Sequence, residues 1–92
     1  MPKDEIWNNF INQNVVVDTN SFYIYIGKMT EATGHFIVLQ DVDVYDPKET
    51  SSTREQYIMN AKKFGVKKNR KSVTVQTAFV VSISRLEDVI EY

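Results

Sequence analysis

One ten-residue stretch of the sequence carries more than half of its basic residues. Residues 62–71, the basic segment, contain six of the 11 lysines and arginines and no acid. The six are Lys62, Lys63, Lys67, Lys68, Arg70 and Lys71. Because cations clustered without acids repel one another, this segment predicts a polyanionic partner whose phosphates it binds by charge, without reading bases. A solubilising, lysine-rich loop is the alternative interpretation.

His35, the only histidine, has two interpretations. It could stack on a base or on a partner's ring, or it could be a solvated loop residue. With no second histidine, no cysteine and no suitably spaced carboxylate, the sequence indicates neither a metal site nor a catalytic triad. The neighbouring Phe36 is either a stacking platform or a core residue at the start of a strand.

Three aspartates, Asp41, Asp43 and Asp46, superficially suggest a cation site. An EF-hand loop would also need a ligand at its fifth position and a glutamate at its twelfth, where this chain has Tyr45 and Ser52. We therefore expect a solvated strand face whose charges discourage edge aggregation. Because the sequence offers no nucleophile beside a base and no glycine-rich phosphate loop, we expect no enzymatic activity and no cofactor or metal.

Length and composition indicate a single domain over residues 1–92. The chain is 42% hydrophobic and 12% aromatic, and its net charge is −1. A chain of this length buries only about 60–65% of its unfolded surface, which leaves no room for a second domain. The sequence shows no secretory signal and no apolar run of the roughly 20 residues that span a bilayer. We expect a cytoplasmic protein with no membrane partner.

Hydrophobic periodicity predicts one helix followed by five strands. The apolar face of the helix, over residues 3–13, consists of Ile6, Trp7, Phe10 and Ile11. Segments rich in β-forming residues then predict strands at residues 15–19, 22–26, 36–45, 73–77 and 79–84. Gly27 predicts a bulge or bend, because glycine can leave the pleat without a Cβ clash.

Residues 46–72 form a long polar and basic insertion between the third and fourth strands. Pro47 ends the third strand, since proline cannot donate to the ladder. Within the insertion, Ser52 and Glu55 fit a capping box, and Gly65 stands where a helix would end. The insertion therefore predicts a short helix.

Two tyrosines alternate with two isoleucines in the second strand. Because side chains alternate across a strand, either Tyr23 and Tyr25 or Ile24 and Ile26 face the core. Outward tyrosines could stack on bases or lie at a subunit interface. An interface is the expected role in a small barrel with open edges.

The order of apolar residues, glycine and aspartate along the first three predicted strands forms a recognisable sequence pattern. The alternating Val15 and Val17 precede a turn, Gly27 and Met29 lie in the second strand, and residues 37–41 end the third strand in Asp41. With the apolar pattern of residues 75–83, this order resembles the Sm and Sm-like (LSm) family. The resemblance implies a mainly β fold: an N-terminal helix, then a strongly bent five-stranded SH3-like (Sm-fold) barrel with a long insertion between strands 3 and 4.

The residues that contact RNA in that family are replaced here. Aligned from Gly27 without a gap, His35 matches a stacking histidine and Ile37 replaces the family's asparagine. With a one-residue deletion, His35-Phe36 replaces its Met-Asn pair. The family's Arg-Gly becomes Gln76-Thr77. The resemblance thus implies a divergent member in which His35, Phe36 and Gln76 are the candidate base contacts.

The resemblance and the basic segment together predict a homo-oligomeric ring that binds single-stranded RNA with weak sequence specificity. The last strand of one subunit would pair with the fourth strand of the next and so remove both exposed edges. The expected seam residues are Val73, Val75, Val80 and Ile83. A ring repeats the basic segment, so weak phosphate contacts add up. The alternative is a ring-forming structural, assembly or protein-interaction module that has lost RNA binding.

Overall fold

The secondary structure follows the hydrophobic pattern of the chain. The structure is a computed structural model that describes residues 4–91. Its elements are α1 Asp4–Asn8, β1 Asn14–Thr19, β2 Ile24–Ala32, β3 Phe36–Tyr45, α2 Arg54–Phe64, β4 Arg70–Gln76 and β5 Val80–Arg85. Short 3₁₀ turns follow β4 at Thr77–Phe79 and β5 at Leu86–Asp88. The prediction of an N-terminal helix followed by five strands is confirmed.

All five strands form one antiparallel sheet in the order β4-β3-β2-β1-β5. β1 pairs with β2 and β5, and β3 pairs with β2 and β4. Within residues 4–91, the outer edges of β4 and β5 therefore have no strand partner. The two strands that end the sheet in space are the last two in the sequence.

The sheet is distorted where β2 passes closest to β3. One residue of β2, Gly27, lies opposite two residues of β3, Asp41 and Val42. Asp41 accommodates the extra residue with a left-handed φ of 52°, which aspartate tolerates better than most residues. A Cβ on the buried Gly27 would lie 3.1 Å from the Gln40 carbonyl oxygen and from the Val42 side chain. The predicted bulge at Gly27 is confirmed, and a second register shift follows near Thr30.

Both faces of the bent sheet are covered. One face packs against the N-terminal residues Trp7, Phe10 and Ile11, and its core consists of Val15, Val17, Met29, Ile37, Leu39, Val42 and Val75. The opposite face packs against α2 and the second 3₁₀ turn, and its core consists of Val16, Ile24, Ile26, Tyr45, Ala61 and Leu86. Because successive side chains alternate across a strand, β1 is buried on both faces.

The first helix is shorter than the prediction of residues 3–13. α1 ends at Asn8, and residue 3 lies outside the described residues. Asn12 takes a left-handed φ of 63°, and its backbone amide donates to the Met29 carbonyl oxygen at 2.6 Å. The Met29 amide in turn donates to the Gln13 carbonyl oxygen at 3.0 Å. These bonds to β2 divert the chain into β1 before a longer helix can form.

The helix predicted inside the insertion is confirmed as α2, with its start one residue later than expected. Thr53 Oγ1 accepts the Gln56 amide at 3.2 Å, and Gln56 Oε1 accepts the Thr53 amide at 3.2 Å. This pair, rather than Ser52 and Glu55, forms the capping box. Gly65 ends the helix with a φ of 94°. Neither α2 nor any other helix of residues 4–91 is long and apolar enough to cross a membrane.

The fourth strand begins earlier than the prediction of residue 73, and the fifth begins one residue later than the prediction of residue 79. Arg70 pairs with Val42 and Ser72 pairs with Gln40, because β3 is long enough to extend the ladder. The last three residues of the predicted insertion therefore belong to β4.

Replacement of Gly27 tests the close approach of β2 and β3. We expect Gly27→Val to lower the free energy of unfolding by about 1–3 kcal/mol, because the added carbons overpack a buried site. Urea unfolding followed by circular dichroism measures the change. Lys28→Val, at the exposed neighbour on the same strand, is the control and should change the value by less than about 0.5 kcal/mol. Equal stability of the two variants would contradict the tight contact.

Candidate nucleic-acid interface

Three of the predicted base contacts lie together at one end of the sheet. Phe36, at the start of β3, pairs with Gln76, at the end of β4. The rings of His35 and Phe36 are 6.5 Å apart, edge to face. We call His35, Phe36 and Gln76 the loop cluster. All three residues are exposed, Phe36 by 45%, so the interpretation of Phe36 as a core residue is wrong.

Two threonines position the loop cluster. Thr33 Oγ1 accepts hydrogen bonds from the backbone amides of His35 at 3.1 Å and Phe36 at 3.0 Å. Thr77 donates from its backbone amide to the His35 carbonyl oxygen at 2.9 Å, and from Oγ1 to the Gly34 carbonyl oxygen at 2.9 Å. Neither threonine is among the contact residues that the sequence predicts. Threonine hydroxyls often bond to the backbone in turns, and the position of Thr33 just before Gly34 could have indicated this role.

The loop cluster offers planar groups and an amide, but no permanent cation. The rings of His35 and Phe36 can stack on a base, since every base has a π face. The Gln76 amide can both donate and accept a hydrogen bond. Phosphates would therefore have to be bound by other residues.

The side chains of the basic segment are not all free to bind a partner, because three of the six contact other groups of the protein. Lys62 is half-buried, and its Nζ donates a hydrogen bond to the Val89 carbonyl oxygen. Lys68 Nζ lies 3.5 Å from Asp41 Oδ1, and Arg70 Nη1 donates to the carbonyl oxygen of the preceding residue at 2.9 Å. Three exposed lysines of the segment have no such hydrogen bond or ion pair within residues 4–91: Lys63, Lys67 and Lys71.

The basic segment and the loop cluster are separated along the β3–β4 ladder. Arg70 pairs with Val42, whereas Gln76 pairs with Phe36. Arg70 and Gln76 are six residues apart on β4, which corresponds to about 20 Å of extended strand. The structure thus brings the three base-contact candidates together but keeps them away from the start of β4, where the basic segment ends.

Two hollows that share two tyrosines lie beside β4, between these two ends. Tyr23 and Tyr25 border two hollows of about 610 Å³ and 400 Å³. Arg70 lines the larger hollow and Gln76 the smaller one. We call this surface the tyrosine groove. The isoleucines that alternate with the two tyrosines are buried, so the prediction that one of the two pairs faces the core is confirmed. The predicted outward direction of the other pair holds only for Tyr23, which is 41% exposed, because Tyr25 is half-buried against the first core.

Asp43 is buried, so the predicted solvated face of the three aspartates is wrong at this position. It is 4% exposed, and its Oδ1 accepts the Tyr57 hydroxyl and Asn69 Nδ2, the latter at 3.3 Å. The extra residue at Asp41 shifts the alternation of β3, so that Asp43 faces α2 together with Tyr45. Asp41 itself is exposed. Within residues 4–91, no three His, Asp or Glu side chains could hold a metal ion.

The contacts of Asp43 fasten α2 to β3 and change two pKa values. Burial raises the pKa of the Asp43 carboxyl above its ordinary 3.8, while the Tyr57 hydrogen bond and the charge of Lys67 partly offset the rise. Burial and the Asp43 carboxylate raise the pKa of Tyr57, so its phenol remains a donor at neutral pH. The Tyr57 ring also packs edge to face on Tyr45, with the ring centroids 4.7 Å apart.

The sequence matches no protein-family model, and no curated protein is detectably similar to it. Its structure, in contrast, is similar to that of a Pyrococcus abyssii Sm protein in complex with a uridine heptamer. The TM-score is 0.60 at 14% sequence identity, over 92% of this chain and 99% of that chain.

A second similar structure is a chain from the crystal structure of the NatC complex bound to CoA. The TM-score is 0.55 at 18% identity, over 84% of this chain and 79% of that chain. At these identities the two likenesses establish the fold alone. The chain has an Sm-like fold: a short N-terminal helix and a bent, five-stranded antiparallel sheet.

The pH dependence of stability tests the burial of Asp43. We expect the stability of Asp43→Asn, relative to that of the original chain, to rise as the pH increases from below 3.8 through the higher folded pKa of Asp43. In the unfolded chain this carboxyl titrates near 3.8, whereas burial holds its folded pKa higher. Its contribution to stability is therefore lost as the pH rises from the unfolded through the folded pKa. Asparagine cannot titrate and has no such loss.

Urea unfolding at several pH values measures this difference. Asp41→Asn, on the same strand but exposed, is the control and should show no comparable rise. A pH-independent difference between Asp43→Asn and the unchanged chain would contradict the raised pKa.

Proposed function

We propose that this chain is a non-catalytic Sm-fold subunit that assembles into a closed homo-oligomeric ring and binds single-stranded RNA with weak sequence specificity. The observation that carries the proposal is the order of the sheet. Its two edges, β4 and β5, belong to the same chain and have no strand partner within residues 4–91. The β5 edge of one copy can therefore pair with the β4 edge of the next.

Pairing between copies would satisfy the free edges of both strands. Unpaired edges tend to aggregate, and a head-to-tail contact whose rotation closes gives a ring. Apolar residues are exposed beside this edge, Val81 by 67% on β5 and Phe79 by 48% just before it. These two are better seam candidates than Val75, which is only 7% exposed within its own chain. Val73, Val80 and Ile83 are half-buried against the same core.

The surface along β4 supports RNA binding. Arg70 at one end of the tyrosine groove can contact a phosphate, the exposed Lys71 follows it in the sequence, and the exposed Lys67 lies three residues before it. Tyr23 offers a ring for stacking within the groove, and Phe36 offers another in the loop cluster at the far end. A strand lying along the groove would thus meet cations first and aromatic rings afterwards.

Weak sequence specificity follows from the side chains that line this path. Gln76-Thr77 supplies no guanidinium, and Thr77 is already hydrogen-bonded to the carbonyl oxygens of Gly34 and His35. Asp46 and Glu49 border the same hollow as Arg70 and weaken its attraction for a phosphate. Affinity would therefore depend on the number of basic segments that a ring repeats.

The second candidate function is a protein-interaction or assembly module without RNA binding. It is favoured by the similarity to a chain of the NatC complex bound to CoA and by the replacement of the RNA-contact residues noted in the sequence. The exposed apolar residues near β5 would then bind a different protein. RNA binding and ring mass separate the two candidates.

Ring assembly predicts a native mass several times that of one chain. We expect Val81→Asp to give a monomer, because the introduced charge would be desolvated at the seam without a partner. Native mass spectrometry with light scattering measures the mass. Phe22→Asp, which replaces a 76% exposed residue in the β1–β2 turn, is the control and should leave the assembly intact. A monomeric unchanged chain would contradict the ring.

RNA binding predicts a steep dependence of affinity on salt. The affinity for a single-stranded oligonucleotide should fall by about 0.7 log units per log unit of salt for each phosphate contacted. Replacing Lys67 and Lys71 by Gln should reduce both the affinity and this slope, as measured by fluorescence anisotropy. The control replaces the exposed Lys28 and Lys48 by Gln, with the same charge change.

No binding at low salt, with the ring intact, would contradict RNA binding and favour the protein-interaction module. Equal losses in the two double variants would show that only net charge matters, and would contradict a role for the basic segment.

A further inference from the structure

A hollow beside α2 has the features of a small-ligand site separate from the tyrosine groove. Its volume is about 360 Å³, within the usual range of about 300–1,000 Å³ for ligand sites. Asp43, Tyr57 and Asn60 line it together with Phe64 and Lys67. We call it the α2 hollow. It therefore combines a carboxylate, a phenol, an amide, an aromatic ring and an ammonium group.

Asp43 contributes an acceptor that the protein itself leaves unused. Oδ1 accepts the Tyr57 hydroxyl and Asn69 Nδ2, whereas no hydrogen bond within residues 4–91 reaches Oδ2. No buried side-chain oxygen or nitrogen of these residues lacks a partner. Asp43 lines the α2 hollow, so Oδ2 is the carboxylate oxygen left for a ligand there, although the residue is only 4% exposed. One carboxylate oxygen can accept two hydrogen bonds from a ligand.

The opposite charge in the same hollow narrows the choice of ligand. Lys67 is exposed and has no ion-pair partner within 4.0 Å among residues 4–91. Its charge disfavours a cationic ligand at Asp43 and favours an anionic group nearby. The ligand should thus present neutral donors to Asp43 and a negative group to Lys67.

The aromatic ring adds a planar contact. Phe64 is the last residue of α2 and is 73% exposed, an unusual exposure for a side chain of this size. A planar heterocycle that enters the hollow would cover this ring. Stacking on an aromatic side chain is a general mode of base binding.

We propose that the α2 hollow binds a guanine nucleotide, with the base against Phe64, its ring N–H and amino donors on Asp43 Oδ2, and its phosphate near Lys67. Guanine is the base whose Watson–Crick edge carries two adjacent donors. Adenine offers one amino group beside an acceptor, and uracil has one donor between two acceptors. Where guanine has its two donors, adenine and uracil each have one donor and one lone pair, and the lone pair would face Asp43 Oδ2 and be repelled by its charge. The nucleotide could be free or part of an RNA strand.

Calorimetric titration of the intact chain with mononucleotides tests the proposal. We expect GMP to bind and IMP, which lacks the amino group, to bind about 10- to 100-fold more weakly, as for the loss of a hydrogen bond to a charged group. AMP should bind more weakly still. Absence of GMP binding, or equal affinities for GMP and AMP, would overturn the proposal.

Variants locate the site. Phe64→Ala should weaken GMP binding by about tenfold, whereas Phe22→Ala, at a similarly exposed phenylalanine elsewhere, should not change it. Lys67→Gln should weaken it and Lys48→Gln should not. Asp43→Asn should abolish the preference for GMP over IMP. If Asp43→Asn does not fold, the Phe64 and Lys67 variants and their two controls still test the site. Unchanged affinity for GMP in both Phe64→Ala and Lys67→Gln would overturn the proposal.

Competition distinguishes the two sources of guanine. Displacement of GMP by an oligoadenylate with one guanosine, but not by oligoadenylate alone, would identify an RNA residue as the ligand. Failure of both to displace GMP would identify the free nucleotide. The α2 hollow does not depend on the proposed ring, so a chain that binds GMP but no RNA would contradict the proposed function alone.

Discussion

The close contact between β2 and β3 at Gly27 coincides with the bulge that decides which side chains of β3 face each core. β3 holds an extra residue at Asp41 opposite Gly27, and the two strands approach so closely there that a Cβ on Gly27 would lie 3.1 Å from the Gln40 carbonyl oxygen. The same bulge exchanges the faces of β3 beyond it, so Val42 enters one core while Asp43 turns towards the other face. Asp43 thereby faces α2, where Tyr57 donates a hydrogen bond to it.

α2 is held on the second face of the sheet at three places. Near its start, Arg54 forms an ion pair with Asp18 at 2.6 Å, but the Arg54 side chain is half exposed, so the pair contributes little. In the middle, Tyr57 donates to the buried Asp43 carboxylate, and near the end, Lys62 donates to the C-terminal backbone. The Tyr57 bond matters most, because removing it would leave a buried carboxylate poorly satisfied.

Local patterns were sufficient to predict the number and order of the strands, the bulge at Gly27 and the end of α2 at Gly65, because each depends on a few neighbouring residues. They did not predict the length of β2, which runs from Ile24 to Ala32 instead of over residues 22–26. The burial of Asp43 could not be predicted in this way, since it depends on a bulge that reverses the alternation of β3. The loop cluster follows from a strand pairing that the Sm resemblance implies. Its separation from the basic segment follows from the observed β3–β4 register, and the tyrosine groove from the approach of β2 to β4.

Cysteine cross-linking tests the proposed pairing of β4 of one copy with β5 of the next, because the chain has no cysteine of its own. Single cysteines are placed at the exposed Thr74 on β4 and, in a second chain, at the exposed Ser82 or Ser84 on β5. The two chains are then mixed and oxidised. If the copies pair through these strands, we expect disulfide-linked dimers that contain one chain of each kind. Cross-links only between identical chains, or none at any β5 position, would contradict it.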